Sequence, residues 1–299
     1  MSELSSREQE EVRRANDSGR RPVLFLHGLW LLASSWEPWR ARFEREGYVT
    51  LAPGWPDEPE TVEEARRHSE RLAGLRIGPI LDHLAAVIAR LRVVPAIIGH
   101  SFGGLFAQQL AGRGLSAATV AIDPAPFRGV LPLPLSALRA GFPVLRNPAN
   151  YSRAVALSFD EFRSSWANTL SLGEARELFD RFLVAAPGAP LFQAAAANLN
   201  PTTEARVDTR SPRRGPLLLV AGMRDHTVPW AMVSAAYRRQ RRNPGVTEVR
   251  QIGHRGHSLI IDSGWPEVAD AALAFVQRHD PSTLTVRPHE AERQPEATP

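Results

Sequence analysis

Short apolar runs recur along this chain, each closed by a turn-forming or chemically active residue. Val23-Leu24-Phe25-Leu26 ends in His27-Gly28, Val93-Val94-Pro95-Ala96-Ile97-Ile98 in Gly99-His100-Ser101, and Ala118-Thr119-Val120-Ala121-Ile122 in Asp123. Leu217-Leu218-Leu219-Val220-Ala221-Gly222 leads to Met223-Arg224-Asp225. Runs of this kind, with no polar face, read as strands buried on both sides. Gly47 to Pro53 reads as a further strand with its end, and Val246 to Ile252 alternates as a strand before Gly253-His254-Arg255-Gly256-His257. Between the runs, apolar residues return at helical spacing: Trp36, Trp39 and Phe43 within 33–46, and Ile80, Leu84, Val87, Ile88 and Leu91 within 79–91. Residues 102–113, 230–241 and 266–278 read as helices too. Strands alternating with amphipathic helices predict an α/β fold, a mostly parallel sheet of about six strands flanked by helices.

The chemistry sits where the runs stop. Gly99-His100-Ser101-Phe102-Gly103 is a G-x-S-x-G between a strand and a helix. That context makes it a nucleophile elbow, a tight turn that lifts a serine hydroxyl off the sheet edge. Asp225 and His257 follow on later strand-end loops, in the order Ser, Asp, His. Asp123 is the rival acid, because it also ends a strand. Asp225 is preferred since G-x-x-D-x-x-V-P follows its strand and Pro229-Trp230 opens a helix. His254 precedes His257 in an H-x-x-H, but on a loop and without a third ligand at suitable spacing, which argues against a metal pair. His226 is expected to pack or hydrogen-bond beside Asp225, His27 to buttress its loop and His100 the elbow.

With His27-Gly28-Leu29-Trp30 after the first strand, the chain resembles the α/β-hydrolases, in particular the bacterial serine hydrolase and carboxylesterase-like group with an H-G-x-x oxyanion loop and a helical cap. The resemblance spans roughly residues 20 to 280, so it is a whole-domain match and not a lone motif. It implies Ser101 as nucleophile, Asp225 as acid and His257 as base, with oxyanion-hole amides from Leu29 and Phe102, and neither cofactor nor metal. The family's opening pair of strands is expected to be absent or rudimentary, because the polar segment 1–20 leads directly into the first core strand.

The interval from Pro124 to Pro216 breaks the alternation. It carries Pro132, Pro134, Pro143 and Pro148, then amphipathic stretches at 159–169, 174–184 and 191–199. It is expected to form a helical cap, residues 126–210, over a core made of 21–125 and 211–280, with 281–299 a disordered tail rich in Pro, Glu, Arg and Thr. Trp30, Phe102, Phe127, Trp166 and Leu191 are the candidates for lining a substrate pocket.

Composition narrows the classes. A chain of 299 residues, 43% hydrophobic, can bury one large core. Without cysteine there is neither a thiolate nucleophile nor a disulfide framework. The net charge is +4 and every one of the 36 basic residues is arginine, but no recognition motif or aromatic-basic interleaving accompanies them, so no nucleic-acid partner is expected. No signal h-region and no run of the ~18 apolar residues needed to span a bilayer are seen, so a cytoplasmic protein without a membrane partner is expected. Homo-oligomers stay open. The reading is a serine hydrolase acting on a small to medium carboxylic ester or lactone. Thioester, amide or C–C hydrolysis and cofactor-free perhydrolysis are rivals on the same residues, and a ligand-binding protein on a hydrolase scaffold is the rival from another class.

Overall fold

The structure, a computed structural model, describes residues 4–279. Its strands are β1 (Pro22–Leu26), β2 (Val49–Leu51), β3 (Ala96–His100), β4 (Thr119–Ile122), the two-residue β5 (Ala154–Val155) and β6 (Ala186–Pro187), β7 (Leu217–Gly222) and β8 (Thr247–Ile252). Six of them form one sheet in the order β2-β1-β3-β4-β7-β8, with every neighbouring pair parallel, as the alternation predicts. The run of β1, β3, β4 and β7 is buried throughout, because helices cover both faces.

The helices are α1 (Ser6–Asp17), α2 (Glu37–Arg45), α3 (Val62–Arg67), α4 (Ile77–Ile88), α5 (Phe102–Gly112), α6 (Leu135–Leu145), α7 (Phe159–Ser165), α8 (Leu172–Phe182), α9 (Ala189–Ala195), α10 (Trp230–Gln240) and α11 (Trp265–Arg278). Helices α6 to α9 lie between β4 and β7, the interval where the alternation lapses. On the sheet's other side of β1, Phe25 meets Trp36 and Phe43 at ring centroids of 5.2 and 5.3 Å, which ties α2 to the sheet.

The strand order fixes where a site can lie. The chain passes from β1 outward to β2, then returns across β1 to β3, so the loops after β1 and β3 leave a crevice at the carboxyl ends of the strands. Ligand sites of open parallel sheets form at such switch points. Register aligns the ends: Leu26 pairs with Gly99, His100 with Ile122, and Ile122 with Val220.

Some boundaries differ from the sequence pattern. The elbow strand starts at Ala96, and Val93 and Val94 stand exposed in the preceding turn. Helix α4 begins at Ile77, since Pro79 falls in the first turn, where a missing N–H costs nothing. The polar segment 1–20 holds α1, announced by Ser5 and Glu8, which form a capping box. Helix α6 forms despite its prolines: Pro134 is the N-cap and Pro143 lies in the last turn. The expected tail, 281–299, lies outside the described residues.

Candidate active site

Ser101 links β3 to α5 with φ 56° and ψ −119°, a left-handed conformation that a non-glycine residue rarely adopts. Neighbours hold the strained turn. Ser101 N–H donates to the Ile122 carbonyl (2.9 Å), and its own carbonyl accepts from Ala125 N–H (2.9 Å) and Leu105 N–H (3.1 Å). A Cβ at Gly103 would run into the carbonyl of Leu26, so only glycine lets α5 start this close to β1. The loop after β1 presses on the same turn: a Cβ at Gly28 would stand 2.7 Å from that of Ser101 and 3.3 Å from Phe102 N. The amides of Leu29 and Phe102, one on each side of this contact, donate no hydrogen bond among the described residues; that of Phe102 is a first-turn orphan of α5.

The loop carrying Leu29 is pinned on several sides. Trp30, itself at φ 65°, donates from Nε1 to the Val155 carbonyl (3.0 Å), and its carbonyl accepts from Val184 N–H (3.1 Å). His27 sets Nε2 at 2.8 Å from Glu58 and stacks on Trp55 at 4.9 Å. Glu58 also accepts from the amides of Ala33 (3.0 Å) and Trp55 (3.2 Å). His27 thus buttresses the loop as expected, through a glutamate that no local sequence pattern marks.

At the ends of β7 and β8, His257 Nδ1 and Asp225 Oδ2 lie 2.6 Å apart, both side chains fully buried. Asp225 Oδ1 accepts from the amides of Thr227 (2.6 Å) and Val228 (2.9 Å). His257 Nε2 makes no hydrogen bond among the described residues. The end of α7 fastens both loops: Thr227 Oγ1 donates to the Ser165 carbonyl (3.0 Å) and Ser258 N–H to the Trp166 carbonyl (3.2 Å). His226 turns away from Asp225, with Nδ1 at 3.0 Å from the Ser164 carbonyl.

Asp123 does not hold the imidazole. It is fully buried at φ 38°, Oδ1 accepting from Gly222 N–H (2.9 Å) and Oδ2 facing Asp225 with no donor. Burial, and then the charge of Asp225, push its pKa well above the usual carboxyl range. His100, also fully buried, packs 4.5 Å from the His257 ring. Burial first and His257 second drive its pKa well below the ordinary value, which keeps it neutral. His100, Asp123 and His257 place three donor atoms within 4.8 Å of one another. Asp123 Oδ1 is committed to the Gly222 amide and His257 Nδ1 to Asp225, while Asp123 Oδ2 and His257 Nε2 have no hydrogen-bond partner among the described residues.

Ser101 lies on the wall of a cavity of about 90 Å³. Leu29, Trp30 and Phe102 line it from the sheet edge, Leu138 and Leu145 from α6, Leu191 from α9, and Thr227 and Val228 from the Asp225 loop. Among the described residues no charged side chain lines it. Phe127 and Trp166 do not line it. Phe127 is buried in the core beyond β4, and Trp166 stands edge-on against His257 at 4.5 Å, so both apolar surfaces are spent on packing.

A family model described as the alpha/beta hydrolase family matches residues 23–271. The chain belongs to the alpha/beta hydrolases. Several solved hydrolases share its fold at low identity. A monoacylglycerol lipase from Paleococcus ferrophilus has a TM-score of 0.60 at 17% identity, over 86% of this chain and 94% of that one. A pyrethroid hydrolase from Sphingobium faniae gives 0.61 at 17%, over 88% and 99%. A putative non-heme bromoperoxidase from Mycobacterium tuberculosis gives 0.62 at 18%, over 87% and 92%. Among curated proteins no sequence match is found. Among the described residues of this hydrolase, no helix is long and apolar enough to cross a membrane.

Proposed function

We propose that this hydrolase cleaves an uncharged carboxylic ester or lactone of small to medium size through an acyl-enzyme on Ser101. The observation that carries the reading is the left-handed Ser101 on the wall of an apolar cavity without charge. A serine held in that conformation gains nothing for packing, and such strain is retained where a reactive group must be presented. A cavity that offers no counter-charge favours a neutral acyl group.

In this mechanism Ser101 Oγ attacks the substrate carbonyl while His257 Nε2, uncommitted in the structure, takes its proton. Negative charge moves to the carbonyl oxygen, which the amides of Leu29 and Phe102 receive; one such donor is worth about 3 kcal/mol of barrier. Collapse breaks the C–O bond to the alcohol, which leaves with the proton from His257. Water then repeats the sequence on the acyl-enzyme and restores Ser101. Asp225 holds Nδ1–H, so that Nε2 carries the lone pair. Helices α6 and α9 act as the cap. The names of the lipase and the pyrethroid hydrolase among the structural relatives are in keeping with this chemistry.

The test is hydrolysis of p-nitrophenyl esters of increasing chain length by the wild type and Ser101→Ala, with fluorophosphonate labelling of both. Turnover and labelling are expected in the wild type and absent from the variant. Labelling without turnover would retain the nucleophile and discard the substrate class. Neither signal in a folded protein would favour the binding-protein reading.

A further inference from the structure

Helix α6 carries apolar side chains on two faces. Its inner face, Ala137, Leu138, Gly141 and Leu145, borders the cavity of Ser101. Its outer stripe is Leu135, Arg139, Phe142 and Arg146, spaced i, i+4, i+7, i+11, and Leu135 and Phe142 are 61% and 59% exposed. The preceding turn adds Leu131 and Leu133 at 73% and 56%. A helix that merely roofs a cavity needs no leucine or phenylalanine toward water; α8 exposes one, Leu172 at its first position, and its other exposed side chains are Arg176, Glu177, Asp180 and Arg181.

Charge along this segment has one sign up to Asp160, which lines the groove beside α6 together with Arg139. From Pro124 to Phe159 the charged residues are Arg128, Arg139, Arg146 and Arg153, all exposed, with no acid among them. These four form no ion pair among the described residues, whereas Arg13, Arg42, Arg71 and Arg278 pair with Glu10, Asp270, Glu64 and Glu248. Attachment differs too. Among the described residues α6 is joined to the rest of the molecule by a single hydrogen bond, from Asn150 Nδ2 to the Val144 carbonyl, while α7 is tied to the Asp225 and His257 loops by several.

We propose that the outer stripe of α6, with the Leu131–Leu133 turn, docks this protein on an anionic lipid surface. Exposed apolar side chains interleaved with unpaired arginines are the composition of a helix that lies in a headgroup layer: the apolar groups enter the interface and the guanidinium groups meet lipid phosphates. The length of an apolar run bears on spanning a bilayer and not on lying against one, so this partner departs from the sequence-level expectation of none. Docking also sets the cavity roof against the membrane.

The test is co-sedimentation of full-length Ser101→Ala, which cannot consume the lipid, with vesicles of phosphatidylglycerol and phosphatidylcholine against phosphatidylcholine alone. Binding is expected to the anionic vesicles and to weaken with salt. Arg139→Gln and Arg146→Gln should each lower the partition about 5-fold and together roughly 30-fold. Leu135→Ser with Phe142→Ser should abolish it. On the Ser101 background the same surface variants should leave turnover of a short soluble ester within about 2-fold. Equal or no binding to both vesicle types overturns the proposal. So does a dimer in sedimentation equilibrium that Leu135→Ser with Phe142→Ser dissolves, since the stripe would then face a second copy. Binding is read without hydrolysis, so a failed esterase assay and a failed docking assay are separate results.

Discussion

Two neighbouring strands of this sheet end in the same side chain with opposite character. Asp123 closes β4 and Asp225 follows β7; the strands pair directly and both carboxyls are buried. Asp225 accepts three hydrogen bonds, from two loop amides and His257. Asp123 accepts one, from Gly222, and its other oxygen faces Asp225. Burial and then the neighbouring charge of Asp225 hold Asp123 well above the usual carboxyl range. Donor count from the following loop, and not residue type or strand position, is what distinguishes the two buried carboxyls.

The largest expected effect breaks or keeps that assignment outright. Asp225→Asn should lower kcat on the order of 10⁴-fold, because an amide can offer His257 its N–H and trap the wrong tautomer. Asp123→Asn should stay within about 3-fold of wild type, since an amide reproduces the shape of a protonated carboxyl and still accepts from Gly222. Steady-state rates on one soluble ester measure both. If the two losses were exchanged, Asp123 would be the acid.

Next in size is stability. Asp123→Leu leaves the buried Gly222 N–H without an acceptor, which should cost about 1–3 kcal/mol, read as a lower urea midpoint at an unchanged slope. Asp123→Asn should keep the midpoint near wild type at acid pH. A Leu variant as stable as the Asn variant would show that the amide finds another partner, and that Asp123 is replaceable as an acceptor.

The two strand ends also show what a sequence can carry. Ser101, Asp123, Asp225 and His257 were legible as residues at or within a few positions of a strand end, because apolar or alternating runs are local signals. Choosing between Asp123 and Asp225 called on chain order and a family resemblance. The physical difference, three donors against one, arises from loop folding around β7 that no local pattern encodes. Glu58 was illegible for the same reason: its contact with His27 joins separate loops. Phe127 and Trp166 were misplaced because apolar residues follow one pattern whether they pack in a core or line a cavity. Helix α6 was hidden by prolines that stand at positions a helix tolerates.

The smallest effect is the most specific to the proton on Asp123. An unfolded aspartate loses its proton near pH 4, whereas Asp123 in the folded protein keeps it well above that. Between those limits the native state binds the extra proton, so its contribution to stability falls as pH rises, by at most about 1.4 kcal/mol per unit. His100 has the opposite sign: its lowered pKa makes the native state bind fewer protons, so stability is lost as pH drops below about 6.5. Asp262, raised to about 6 chiefly by burial, slopes with Asp123 over the acid part of the range. A wild-type curve therefore mixes three groups, but the difference between Asp123→Asn and wild type cancels the other two. Urea midpoints at intervals from pH 4 to 8 should show the variant gaining on wild type as pH rises, then holding level once folded Asp123 ionises. A flat difference would mean that Asp123 is ionised in the folded protein, and that the two strand ends are alike after all.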